Sequence, residues 1–183
     1  IKNIGSKIKS PIELMVGINK VVPVTFQKKK QLLFLQRMMG QVLLDPPNVA
    51  GWKGNRSWID SNTLMSRMNL PSALLANAVI EFSEKGEFEA SFEEYYKAEK
   101  TKRRFLKTEV DWKFFEDNYV ISFKDDKGTL SRNAKDVLKK RLQNHILQAR
   151  LDKDTERLLG NLEATTTQAL CIQLMSLPEY QMC

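Results

Sequence analysis

The chain has 183 residues, 42% hydrophobic and 28% charged, which is the length of one sizeable domain with its own core and the composition of an ordinary soluble globular protein. Its formal net charge of +7 sits at one end: residues 1–44 hold eight Lys and Arg (2, 7, 9, 20, 28, 29, 30 and 37) against one acid, Glu13, and the rest of the chain balances. No apolar run approaches the roughly 18 residues of a membrane span, and one histidine, His145, with two cysteines, Cys171 and Cys183, does not supply the ligand set of a nitrogen- or sulfur-bound metal.

The first helix is announced by Ser10, Pro11 and Glu13: a capping serine, a proline suited to the first helical position, and the acid of a capping box. It should run to about Val21, with Pro23 beyond its end. A second helix is expected from about Lys28 to Met39, apolar on more than one side (Leu32, Leu33, Phe34, Leu35, Met38, Met39) and so mostly buried, with Gly40 as its stop. After the loop at 45–58, Asp60 or Ser61 caps a third helix. Leu64, Met68, Leu75, Val79 and Phe82 share one face, and the motif Asn69-Leu70-Pro71 suggests either a kinked helix or two helices that abut there, the break being preferred.

Residues 83–109 are polar and charged and read either as a helix over about Glu89–Phe105 or as a mobile or inserted segment. Residues 110–119 are too short a stretch to assign, a short strand is considered at Val120–Phe123, and Asp125–Thr129 reads as a turn. Ser131 then caps a helix with Ala134, Leu138, Leu142 and Ile146 in register. Asp152 or Asp154 opens a short helix ending near Gly160, and Thr165 with Gln168 forms a capping box for an apolar helix central to the core, closed by Pro178. With no sustained alternation and no internal repeat, the class is all-α: an irregular bundle of about six to eight helices in one domain, 1–183, with one long rigid Pro/Gly/Trp loop.

Chemistry is sparse. There is no GxSxG, P-loop, GxGxxG or HExxH pattern. His145 reads as a surface or structural residue, and Glu93–Glu94 and Glu116–Asp117 are neighbours that cannot share a helix face. Cys171 reads as a small core residue, and a bridge from it to Cys183 is left open. No catalytic residue, metal or cofactor is assigned. The basic end offers only Phe26 and Phe34 as aromatics, so its lysines read as solvated or as a face that meets an acidic surface. Nucleic acid is not the expected partner, and binding to it would show a steep salt dependence.

The stretch DPPNVAGWKGNRSW, 45–58, is the exception. Pro46 and Pro47 stiffen it, Gly51 and Gly54 permit positive φ, and Asn48 can bond its own backbone. Trp52 and Trp58 each bring a large apolar surface and one N–H, and Arg56 a planar fork. Such a loop is either a packed plug or a rigid ligand platform. The plug is favoured, because tryptophans are more often buried anchors than ligand stackers.

PPNVAGW at 46–52, Trp58, TLMSRMN at 63–69 and LMSLPEYQ at 174–181, with SPIEL at 10–14, together resemble the C-terminal part of the bacterial domain of unknown function 1800 family. The likeness covers the first 70 residues and the last 20, and the ending resembles versions from the Bacteroidetes. Lys53 and Asn55 stand where that family usually has Pro and Gly, and Leu177 where it commonly has Ser. The resemblance implies a C-terminal portion of a longer protein, which the first residue Ile1 fits, exported or in the cell envelope although no signal peptide is visible. It also implies a co-encoded exported protein, of phosphatase-like or sulfatase-like fold, as a partner. The family has no established activity, and its richest His, Asn, Asp and Glu motifs lie upstream.

Two functions follow. In the first, this is a structural or partner-binding helical module whose loop shapes the face toward the rest of its own chain. In the alternative, the loop lines an active site whose catalytic groups lie upstream, and Asn48, Trp52, Arg56, Arg67 and Asn69 position an anionic or sugar-like substrate.

Overall fold

Ser10 opens the first helix as its sequence requires. Its hydroxyl accepts from the Glu13 amide while the Glu13 carboxylate accepts from the Ser10 N–H at 2.7 Å. The computed structural model describes residues 5–78, 80–82, 102–104, 106–123, 132–161 and 166–183. Among them the chain is an all-α bundle of seven helices: α1 (Pro11–Val21), α2 (Lys29–Met38), α3 (Ser61–Leu75), α4 (Trp112–Tyr119), α5 (Arg132–Ile146), α6 (Lys153–Asn161) and α7 (Thr167–Met175). Two antiparallel ribbons accompany them. β1 (Val24–Phe26) pairs with β4 (Thr108–Val110), Thr25 opposite Glu109, and β2 (Ile80–Phe82) pairs with β3 (Lys102–Arg104), Glu81 opposite Arg103.

The core gathers Leu14, Ile18 and Val22 of the first segment, Leu35 and Met39 around α2, Leu70 and Leu74 of α3, Phe115, Leu142, and Cys171, Leu174 and Met175 of α7. The apolar helix α7 packs on both α3 and α5, which makes it central. Both cysteines are free thiols, Cys171 buried.

Several expectations are corrected. The third helix does not break at Pro71: α3 runs through it, because Leu70, Ala73, Leu74 and Leu75 continue one buried face whose burial outweighs the lost amide bond. That face is centred on Thr63, Arg67, Leu70 and Leu74, whereas Leu64 and Met68 are only half-buried. Helix α2 is buried on one side, at Leu35, Gln36 and Met38, and leaves Leu32 and Leu33 38% and 40% exposed. Residues 80–82 and 102–104 are paired strands, not parts of helices, and Ile121–Phe123 is a 3-10 turn, not a strand. The cap of α7 is Thr166, whose hydroxyl accepts from the Ala169 amide at 3.1 Å. Residues 83–101, which include most of the helix considered at 89–105, lie outside the described residues, as do Val79, the 125–129 turn, Ser131 and Thr165.

Candidate functional site

The loop is held from within. Asn48 accepts from the Ala50 amide through its side chain (2.9 Å) and from the Gly51 amide through its carbonyl (3.0 Å). Gly51 takes a φ of +80°, as expected, but Gly54 does not; Asn55 takes the second left-handed position, at +59°. Asparagine tolerates that conformation better than other side chains. The Ser57 hydroxyl donates to the Lys53 carbonyl (2.6 Å) and lies 2.9 Å from that of Gly54. This winds Asn55–Trp58 into a 3-10 turn leading to Asp60, the cap of α3.

The sequence-selected residues differ in burial. Pro46, Pro47, Asn48, Arg56 and Asn69 are exposed, Gly51 and Trp52 half-buried, and only Trp58 and Arg67 buried. Trp58 is the anchor: the residue is 8% exposed and its carbonyl accepts from the Thr63 hydroxyl at 3.0 Å. The rest projects outward. Val49 is fully exposed and Leu44, at the loop's near edge, is 91% exposed with a φ of +66°.

Arg67 points the other way. It is fully buried; Nε donates to Gln181 Oε1 at 3.0 Å and Nη2 donates to the Lys9 carbonyl. Lys9, read from sequence as a solvated cation, is buried as well. Its Nζ donates to the Tyr180 carbonyl at 2.7 Å and sits 4.0 Å from the centre of that ring. Backbone bonds stitch the same region: Lys9 N–H to the Gln181 carbonyl (2.7 Å), Cys183 N–H to the Lys7 carbonyl (2.8 Å), and Gly5 N–H to the Cys183 carbonyl (3.1 Å). The loop joins through Asn55, whose side-chain oxygen accepts from the Ile8 amide at 3.3 Å. Burial lowers the pKa of Arg67 to about 10 and draws Lys9 below its usual value; the negative charges of Cys183 and Glu13 oppose the shift of Lys9 and the charge of Arg67 adds to it.

Arg56 is thus exposed while Arg67 is buried and bonded within the chain, so the two do not line one open pocket. Among the described residues no three His, Cys, Asp or Glu come together as metal ligands, and no helix is long and apolar enough to cross a membrane. His145 is exposed and packs against Tyr119, the ring centres 4.8 Å apart and the planes tilted by 46°.

A family model described as "Protein of unknown function (DUF1800)" matches residues 1–182. The chain belongs to this family. The DUF1800 match includes the middle of the chain as well as the two ends that carry the quoted motifs. No curated protein and no solved structure matches the chain. The segments that carry the DUF1800 likeness are distant in sequence and meet in the fold: SPIEL begins directly after Lys9, the loop reaches Ile8 through Asn55, TLMSRMN supplies Arg67, and LPEYQ supplies Tyr180 and Gln181. Sequence reasoning missed Lys9, Tyr180 and Gln181. The available signal was that Arg67 and Gln181 both sit in such segments.

Proposed function

We propose that this chain is a non-enzymatic, partner-binding helical module of an exported protein, the C-terminal portion of a longer Bacteroidetes-type member of its family. Its loop at 45–58 is the docking arm. One observation carries the reading: a loop braced by its own hydrogen bonds and anchored by Trp58 holds Val49, Pro46 and Pro47 out in solvent, beside Leu44. A stiff arm that presents apolar groups has lost little entropy to lose again on binding, which favours use as a contact surface. The expected occupants are the rest of its own chain and the co-encoded exported protein.

Calorimetric titration of this chain with the upstream part of the protein, and separately with the co-encoded protein, tests it. Association with one of them should weaken by about tenfold or more in Val49→Asp, as for a central apolar contact. Absence of association with both would sink the proposal, as would binding that Val49→Asp leaves unchanged.

A further inference from the structure

Helix α2 is apolar on more than one side, and among the described residues only one side is buried, at Leu35, Gln36 and Met38. Its uncovered side forms, with α1 and β1, a groove of about 320 Å³ lined by Ile12, Met15, Val16, Phe26, Leu32 and Leu43. The polar oxygens in the lining are already used: Asn19 Oδ1 accepts from the Val24 amide and Gln36 Oε1 from the Leu43 amide, each at 2.8 Å. What faces outward is mostly hydrocarbon.

The groove has a charged end. Phe26 and Leu32 both line the groove, and Lys28, Lys29 and Lys30 stand between them in sequence, Lys28 just before α2 and the other two in its first turn. All three are exposed, and no carboxylate among the described residues pairs with them. The start of α2 has no side-chain cap and no acid in its first turn, so the positive end of the helix dipole adds to the same potential.

We infer that this groove docks an acidic amphipathic helix of a partner protein. A concave apolar channel between two helices takes the apolar stripe of a third. Its lining on α1 runs from Ile12 to Asn19, a rise of roughly 10 Å, which accommodates about two turns. The lysines fix orientation, since acids and the negative C-terminal end of the incoming helix both belong at that end. A flat lipid surface would meet the lysines but could not fill the channel. The inference stands apart from the docking arm, because it uses neither Val49 nor the prolines.

The probe is a fluorescein-labelled four-turn peptide with Leu at helical spacing on one face and Glu elsewhere. Controls are the same composition with the leucines spread around the helix, and a version with Lys for Glu. Anisotropy with the full chain should show saturable binding to the first peptide only, weakening in high salt. Val16→Asp and Leu32→Asp, at half-exposed positions checked for folding by circular dichroism, should each weaken it by about tenfold. Lys28→Glu with Lys29→Glu should weaken it about fivefold and remove most of its salt dependence. Val49→Asp should leave it unchanged, which separates this site from the arm. Equal binding of either control peptide, indifference to both Val16→Asp and Leu32→Asp, or the absence of saturable binding would overturn the inference. So would phosphatidylserine vesicles binding in place of the peptide with the same sensitivity to Val16→Asp.

Discussion

Arg67 Nε donates to Gln181 Oε1 at 3.0 Å across 114 residues of sequence. With Nη2 on the Lys9 carbonyl, one planar fork sets the spacing of three segments: the N-terminal stretch, α3 and the C-terminal turn. The bonds of this fully buried guanidinium go to neutral oxygens. It is therefore held by geometry and hydrogen bonds rather than by charge pairing. The neighbouring ammonium of Lys9 is accommodated in the same manner, by the Tyr180 carbonyl and ring.

Arg67→Ala should consequently lower stability by roughly 3–5 kcal/mol, because it opens a cavity and leaves two buried acceptors without a donor. Arg67→Lys should lose about 1–3 kcal/mol, since an ammonium cannot reproduce the fork. Urea unfolding measures both. A loss under about 1 kcal/mol for the alanine variant would mean that the stitched ends are held by backbone pairing alone.

The helices were legible because their signals are local. Ser10 with Glu13, the cap at Asp60 or Ser61, and the Leu138, Leu142, Ile146 spacing each act within a few residues, and the structure has the first and third as expected and settles the second on Asp60. The ribbons were not, since three-residue strands show no alternation and β1 pairs with a segment more than 80 residues away. Arg67 was selected for the wrong surroundings: its charge suggested a ligand, but helix periodicity does not tell which face meets the chain ends. The same holds for Lys9, where a net charge of the segment says nothing about one buried member.

Gly17 and Tyr180 should be coupled. A Cβ at Gly17 would lie 3.1 Å from the Tyr180 hydroxyl. Alanine in mid-helix is otherwise worth about 0.8–1 kcal/mol over glycine. Gly17→Ala should therefore gain little or lose stability in the native background, and stabilise by about that amount in Tyr180→Phe. A double-mutant cycle of unfolding energies reads the difference directly. Equal effects in both backgrounds would show that the ring moves aside without cost.

Acid should loosen the start of α1. The Lys7 hydrogen bond first, and the Ser10 backbone amide second, hold the Glu13 carboxyl below its usual 4.5. A depressed carboxyl contributes stability that is fully present above the unfolded value and is lost as pH falls through the folded one. The loss window thus lies below about pH 4.5. Glu13→Gln should reduce the decline in stability across that range, measured by urea midpoints at successive pH values. An unchanged decline would place the acid sensitivity elsewhere.

The two thiols should differ in reactivity. Cys171 is fully buried and burial pushes its pKa up to about 12, whereas Cys183 is partly exposed. Only thiolate reacts with a disulfide reagent. At mildly alkaline pH the native chain should titrate one thiol quickly, and the denatured chain two. Rapid reaction of both in the native state would mean that α7 opens far more readily than a central core helix should.

Leu44 offers the last test, because its backbone and its side chain point to different causes. Its φ of +66° is costly for a residue with a Cβ, and its side chain is 91% exposed. Replacement by glycine removes a strain of about 1–2 kcal/mol and adds about 0.5–1 kcal/mol of unfolded-state entropy. Leu44→Gly should therefore stabilise the chain by up to about 1 kcal/mol, whereas Leu44→Val should destabilise it, since a β-branched side chain fits the left-handed region still less well. Thermal unfolding of both variants decides the structural half. If the docking arm works as proposed, the same glycine variant should bind the partner more weakly while being more stable, because the apolar group it removes contacts only what arrives from outside. A glycine variant that is less stable would show that Leu44 is held by packing within this chain, and its exposure would then carry no functional meaning.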